Sequence, residues 1–206
     1  MIHAEQKIYL ASKSPRRREL LRQIGVEFEI LMLREAPGLT EAVTEIPHPN
    51  EDPEVYVRRV AREKGEAGWQ TVLERKLPLR PVLSADTTVS IDGKILGKPA
   101  DADEAIKILR WLSGRTHEVL TAITVTAEGK MSEALSRSEV RFAHVDEASL
   151  RAYCATKEPY DKAGAYGVQG LAAQFIEFIS GSYSGIMGLP LFETARLLQK
   201  AGVKTL

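Results

Sequence analysis

The 206-residue sequence predicts an α/β fold, with residues 1–206 forming a single domain. The chain opens as strand, turn, helix and strand, an order typical of α/β proteins. Strand-like and helix-like segments follow to the end of the chain, and no repeat, low-complexity tract or linker separates them. The hydrophobic fraction of 44% and the charged fraction of 27% are those of an ordinary globular protein with one sizeable core.

The strands are predicted from short apolar or β-branched runs that are bounded by polar or turn residues. Two turn signals, Asp92–Gly93 and Glu128–Gly129, join neighbouring runs into hairpins. In chain order, the predicted strands are residues 8–11, 27–33, 81–91, 95–96, 116–127, 130–143 and 174–179.

The helices are predicted where apolar residues recur at helical spacing after a capping signal. Ser14 followed by Pro15 begins the first helix, which ends at Gly25. Asp101 and Glu104 form a capping box for a later helix. In chain order, the predicted helices are residues 15–24, 54–74, 101–112, 146–156 and 190–201. The predicted loops are the proline-rich residues 34–53, the glycine-rich residues 161–170 and residues 180–188.

The composition excludes several classes of protein. Lys and Arg together number 28, as do Asp and Glu, so no global positive field attracts nucleic acid or an anionic membrane surface. No segment reads as a signal peptide or a membrane span. The single cysteine, Cys154, excludes an intrachain disulfide and is typical of a reducing compartment. The four histidines lack the spacing of a zinc-hydrolase site. Because the basic and acidic residues balance, any anion binding must depend on a local group of basic residues.

Residues 12–18, with the sequence SKSPRRR, place three arginines at the start of a helix. The positive end of the helix dipole disfavours basic residues there, unless an external anion completes the site. Free backbone N–H groups and arginine side chains bind phosphate well. The alternative is that the arginines point into solvent. A Walker phosphate loop is absent from the sequence.

Asp86 lies in the sequence SADTT, inside a strand otherwise built of Val, Leu and Ile. Asp is a poor strand residue, so an interior one commonly serves a specific purpose. Its carboxylate could coordinate a metal, orient water or accept a proton. The alternative is a carboxylate that stabilises a turn at the strand end.

Three further features carry weaker signals. Lys98 stands between Gly and Pro and could contact a phosphate, although most such lysines are solvated. Lys64 could do the same, although a charged helix face also explains it. The segment 158–170 contains three glycines that allow close backbone approach to a ligand, and Gln169 could bind the edge of a base. The alternative for this segment is a plain irregular connection.

Taken together and in this order, these segments resemble the Maf family of nucleotide pyrophosphatases. The matching stretches are YLASKSPRRRELL, RVAREK, SADTTVSIDGKILGKP, LSGRTHEVLT, EPYDKAGAYGVQG and GLPLFETARLL. The resemblance implies an α/β fold with an elongated mixed sheet flanked by helices and a central cleft between two lobes. It further implies a cytoplasmic enzyme that needs a divalent cation, Mg²⁺ or Mn²⁺, and that is often a homodimer.

The resemblance also implies a role for individual residues. The catalytic base falls on Asp86, and the positions that discriminate substrates fall on Arg16, Thr87 and Gln169. Phosphate contacts fall on hydroxyl and basic residues, namely Ser12, Ser14, Lys64, Lys98 and Lys162. Metal contacts fall on Asp86, Asp161 and Glu35, the last in place of an acidic pair that the family usually has after the second strand.

The resemblance implies hydrolysis of the bond between the α- and β-phosphates of a nucleoside triphosphate. The block DKAGAYGVQG is similar to that of the branch acting on dTTP and UTP, and differs from the sister branch acting on 7-methyl-GTP. The alternative is a nucleotide-binding regulator of cell division that senses a nucleotide without turnover. We expect Lys98 and Lys162 to be exposed in the empty cleft.

Overall fold

The computed structural model describes residues 7–33 and 43–205, which form a mixed β-sheet flanked by helices. The strands are β1 (Ile8–Leu10), β2 (Phe28–Ile30), β3 (Val82–Ile91), β4 (Lys94–Leu96), β5 (Thr116–Ala127), β6 (Lys130–Phe142) and β7 (Ile176–Ser180). The helices are α1 (Pro15–Gln23), α2 (Pro53–Glu74), α3 (Ala102–Leu112), α4 (Glu147–Cys154), α5 (Tyr183–Met187) and α6 (Leu191–Lys200). Short 3₁₀ turns lie at Pro159–Asp161, Ala163–Ala165 and Leu171–Phe175. The predicted α/β class is confirmed.

The strand order is β2-β1-β3-β5-β6-β7, and β4 pairs with the far end of β3. β1 runs parallel to both β2 and β3. The other pairs are antiparallel, and the longest of them joins β5 and β6 through the predicted hairpin. The sheet is therefore parallel at one end and antiparallel over the rest, which is the mixed arrangement expected from the sequence.

One edge of β3 is shared by two short strands that leave a gap between them. β1 pairs with Val82 and Leu83, whereas β4 pairs with residues 89–91. The opposite edge of β3 pairs continuously with β5 from Val82 to Ser90. In the part of the chain that the structure describes, residues 84–88 thus have a strand neighbour on one side only, so side chains from the helices can reach the backbone on the other side.

Over the described residues, the hydrophobic core comprises four clusters, and the two largest of them share β3 and β5. One cluster includes Leu109 and Phe142 and packs α3 and α4 against the sheet. The other includes Leu20 and Leu198 and packs α1 and α6 against the parallel end.

The structure corrects two details of the predicted elements. Residues 180–188 are not a plain loop, because α5 forms within them and the Ser182 hydroxyl accepts a hydrogen bond from the Gly185 amide at 3.0 Å. The second strand ends at Ile30 instead of continuing to residue 33. Among the described residues, no helix combines the length and apolar character needed to cross a bilayer.

Candidate functional site

A cavity of about 750 Å³ lies beside the gap in β3. All of the predicted site residues that the structure describes line this cavity: Ser12, Ser14, Arg16, Lys64, Asp86, Thr87, Lys98, Asp161, Lys162 and Gln169. Glu35 lies outside the described residues. The fold thus gathers four cations, which the sequence places on four separate segments, into one cavity.

Asp86 lies in the gap of β3, and only 6% of its surface is exposed. Its carboxylate accepts a hydrogen bond from the Lys64 ammonium of α2 at 2.8 Å. α2 lies very close to the sheet beside this pair. A Cβ on Gly65 would come within 2.4 Å of the Thr124 hydroxyl oxygen, which is too short for a real contact. The lack of a side chain at Gly65 therefore allows the approach that joins Lys64 to Asp86.

Burial raises the pKa of the Asp86 carboxyl above its usual range. The charges of Lys64 and Arg17 act in the opposite direction without cancelling the effect of burial. A buried carboxylate is poorly solvated when ionised, and its affinity for a proton rises. Asp86 is therefore a stronger proton acceptor than an exposed aspartate.

Glu45 is a site residue that the sequence analysis missed. Its carboxylate pairs with the Lys64 ammonium and accepts from the Lys98 ammonium at 3.0 Å. Burial alone would raise the pKa of Glu45, but Lys64 and Lys98 outweigh burial and lower the pKa to about 2. Glu45 is one of several acids in a proline-rich segment, so no local pattern distinguishes it.

Asp86 and Glu45 share the ammonium of Lys64, and this donor set fits a hard divalent cation. Two carboxylates converge on one position that already holds a positive charge. Mg²⁺ is commonly held by one or two carboxylates together with phosphate oxygens and water. Within the described part of the chain, no three His, Cys, Asp or Glu side chains group closely enough to form a metal cage.

The start of α1 forms another wall of the cavity. Ser14 occupies the N-cap position, as predicted, but its side chain makes no capping hydrogen bond within the described residues. The first turn of α1 contains no acidic residue. With respect to the described residues 7–33 and 43–205, the backbone N–H groups at this end of the helix therefore remain available to an anion.

Arg16 and Arg17, which follow Pro15, have different environments. Arg16 pairs at 3.0 Å with the carboxylate of Asp161, the first residue of the glycine-rich segment. Arg17 points inwards and donates to the Ala85 carbonyl at 2.8 Å, which lies in the gap of β3 where a strand neighbour is missing. The Arg17 side chain thus replaces a strand contact, and sequence reasoning missed it because three adjacent arginines look alike.

The glycine-rich segment that carries Gln169 is held by several buried contacts. Gly164 has a φ of 70°, and a Cβ there would lie 2.8 Å from Val89, so the backbone lies directly against β3. The Tyr166 hydroxyl and His117 Nε2 are 2.7 Å apart. Burial lowers the pKa of His117 to about 4, so the ring is neutral at pH 7. The exposed Gln169 side chain makes no hydrogen bond to the described residues.

Lys98 and Lys162 differ in exposure. The side chain of Lys98 is 53% exposed, as predicted. That of Lys162 is only 13% exposed, so the expectation of an exposed lysine is wrong. Its ammonium donates to the Glu158 carbonyl at 2.6 Å and to the Asp161 carboxylate at 2.5 Å, and these contacts hold it against the segment from which it arises.

The fold and the cavity define an α/β protein with a basic cleft built around a buried carboxylate. The chain matches the Maf-like protein family over residues 7–201 and belongs to this family, which confirms the resemblance seen in the sequence. A relative from Aromatoleum aromaticum is 56% identical over 199 residues, covering 96% of this chain and 97% of its own. A second, from Nitrosomonas europaea, is 52% identical over 196 residues, covering 95% of each chain. Both relatives are named dTTP/UTP pyrophosphatase.

Proposed function

We propose that this protein is a nucleoside triphosphate pyrophosphatase that hydrolyses dTTP and UTP to the monophosphate and pyrophosphate. The observation that carries the proposal is that the four predicted basic residues, Arg16, Lys64, Lys98 and Lys162, line the same cavity as the buried Asp86 carboxylate. The names of the relatives agree with it. We place the activity in the cytoplasm, and the homodimer implied by the resemblance stays a prediction.

The triphosphate is proposed to lie between the start of α1 and the lysines of the opposite wall. Ser12, Ser14 and the backbone N–H groups at the start of α1 would donate hydrogen bonds to one phosphate, since helix starts favour anions. Lys98 and Lys162 would offset further negative charge, because both line the same cavity. The chain has no net charge, so this local set supplies the attraction.

Asp86 is proposed to accept a proton from the water that attacks the α-phosphorus. Its burial raises its proton affinity, and the neighbouring Lys64 ammonium fixes the carboxylate at 2.8 Å. As the water oxygen bonds to the α-phosphorus, the bond to the bridging oxygen breaks and pyrophosphate leaves. Lys64 and Arg16 would stabilise the negative charge that develops on the phosphate oxygens.

A divalent metal cation, Mg²⁺ or Mn²⁺, fits the carboxylate pair of Asp86 and Glu45. When bound, it would offset negative charge on the triphosphate. Asp161, the other described metal candidate, pairs with Arg16 and Lys162 instead, whereas Glu45 shares the Lys64 ammonium with Asp86. We therefore favour Glu45 over Asp161 as the second carboxylate.

Base selection is proposed to depend on Gln169, together with Arg16 and Thr87. The Gln169 amide is exposed at the cavity and offers both a donor and an acceptor, as the edge of a pyrimidine requires. Thr87 follows Asp86 on β3 and lines the same cavity.

One assay tests the proposed function. Pyrophosphate release is measured from dTTP, UTP, dCTP, dATP and 7-methyl-GTP, with and without Mg²⁺. We expect metal-dependent release that is fastest with dTTP and UTP. Preference for 7-methyl-GTP would contradict the substrate assignment. Nucleotide binding without release from any substrate would contradict the enzyme and favour a regulator.

A further inference from the structure

Four polar groups form a continuous hydrogen-bonded chain behind one wall of the cavity. Arg17 Nη2 lies 3.1 Å from the Thr87 hydroxyl, which lies 2.9 Å from the Thr121 hydroxyl. The Thr121 hydroxyl in turn lies 2.8 Å from the Gly185 carbonyl oxygen. The chain therefore links α1, β3 and β5 to α5.

The direction of every bond in this chain is fixed by chemistry. A carbonyl can only accept, so Thr121 donates its single hydroxyl proton to Gly185. Thr121 must then accept from Thr87, whose own proton is used in that bond. Arginine can only donate, so Arg17 donates to Thr87. It follows that the Thr87 hydroxyl, although it borders the cavity, has no proton left to donate to a ligand.

Both ends of this hydrogen-bonded chain hold the same short segment of the protein, residues 185–188. Thr121 bonds the Gly185 carbonyl, and Arg17 Nε donates to the Gly188 carbonyl at 2.7 Å. Between these two carbonyls lie Ile186 and Met187, which line the cavity. The segment is a single short turn of helix, so these two tethers fix the position of an apolar wall.

We propose that Thr121 is a positioning residue for base discrimination, acting through the Gly185 carbonyl on the wall formed by Ile186 and Met187. Thr121 is 1% exposed and does not border the cavity, so it cannot act by touching the nucleotide. The proposal rests on the proposed function for its substrate, and it gives Thr87 an indirect part in selecting the base.

The test compares Thr121→Val, which removes the hydroxyl while keeping the shape, with Thr121→Ser, which keeps the hydroxyl. UTP and CTP are the substrates, since their bases differ only in the hydrogen-bond donors and acceptors at positions 3 and 4. Losing one buried hydrogen bond should lower the UTP-to-CTP ratio of kcat/KM by about 5- to 100-fold in Thr121→Val, chiefly through KM for UTP. Thr121→Ser should stay within about twofold of the wild type, although it loses a buried methyl group.

A double-mutant comparison distinguishes an effect carried by the hydrogen-bonded chain from a direct contact between Thr87 and the base. Thr87→Val should reduce the ratio as Thr121→Val does, and the double variant should be no worse than either single variant, because each breaks the same chain. A wild-type ratio in Thr121→Val together with a reduced ratio in Thr87→Val would overturn the proposal, since Thr87 would then contact the base itself. Equal loss in Thr121→Val and Thr121→Ser would also overturn it, because packing would explain the loss.

Hydrogen exchange in the nucleotide-free protein gives a readout that does not depend on catalysis. The α5 amides should exchange at least about tenfold faster in Thr121→Val than in the wild type or in Thr121→Ser. If exchange changes in this way but no nucleotide is hydrolysed, the proposed function is wrong. The structural tether from Thr121 to α5 is then supported, but the role of Thr121 in base discrimination is refuted together with the proposed function. If exchange and the substrate ratio are both unchanged, the tether itself is refuted.

Discussion

Glu45 gives the sharpest prediction, because the structure and the sequence select different acids as the partner of Asp86. Glu45→Gln removes one charge and keeps the shape. A pKa of about 2 in place of 4.5 means that folding favours the ionised carboxylate. A pKa difference of one unit corresponds to about 1.4 kcal/mol, so the folded state favours the ionised carboxylate by about 3 kcal/mol before solvent screening is considered. A quarter of the side chain is exposed, and allowing for solvent screening we expect a net loss of about 1–3 kcal/mol at pH 7.

The pH dependence of this loss follows from the direction of the pKa change. The folded-state pKa lies below the unfolded one, so the stabilisation is complete above about pH 4.5 and declines as the pH falls towards 2. Urea unfolding of the wild type and Glu45→Gln at pH 7 and pH 3.5 measures the difference between them. The gap in the free energy of unfolding should narrow at the lower pH. An equal difference in the free energy of unfolding at pH 7 and pH 3.5 would refute the assignment of this stability to the charge of Glu45.

The effect on activity is tested by comparing Glu45→Gln with Glu35→Gln, because Glu35 is the acid that the sequence selected as a metal residue. Loss of a supporting group around a metal commonly weakens binding about 10- to 100-fold, and loss of a ligand should cost at least as much. The Mg²⁺ concentration for half-maximal pyrophosphate release should therefore rise at least about tenfold in Glu45→Gln. Glu35→Gln should leave it close to the wild-type value. The reverse pattern would restore Glu35 as the metal residue.

Three further changes have definite expected results. Asp86→Asn should lower turnover about 10²- to 10⁴-fold in steady-state assays. Because burial raises its folded-state pKa, ionised Asp86 opposes folding at pH 7, so the variant should be more stable than the wild type in urea unfolding, and this gain should vanish as the pH falls. Gln169→Ala should reduce the preference for dTTP over 7-methyl-GTP by about 1–3 kcal/mol, measured as a ratio of kcat/KM. EDTA should abolish pyrophosphate release, and added Mg²⁺ or Mn²⁺ should restore it.

Each of these predictions has a result that contradicts it. Near-wild-type turnover in folded Asp86→Asn would remove the base assignment, and a loss of stability would mean that its bond to Lys64 outweighs its burial. An unchanged substrate ratio in Gln169→Ala would move base recognition elsewhere in the cavity. Full activity in metal-free buffer would remove the cation from the reaction.

The sequence by itself determined the elements and the family. Hydrophobic spacing and capping residues located α2 and α3 to within a residue or two, because these signals are local. The hairpin between β5 and β6 followed from the turn at Glu128–Gly129 for the same reason. The cluster of motifs also selected Asp86, Lys64 and Lys98, although no single motif could show that their side chains meet.

Only the tertiary structure decided which charged groups pair. Glu45 reaches Lys64 and Lys98 across 19 and 53 residues of sequence, and Arg17 reaches Ala85 across 68. Such contacts depend on the gap in β3 and on how closely the helices approach it, which no local pattern encodes. The same limit explains α5, since a five-residue helix is too short for a periodic signal and is held by Ser182 and Thr121. Local sequence sets the elements, whereas long-range packing sets the electrostatics of the cavity.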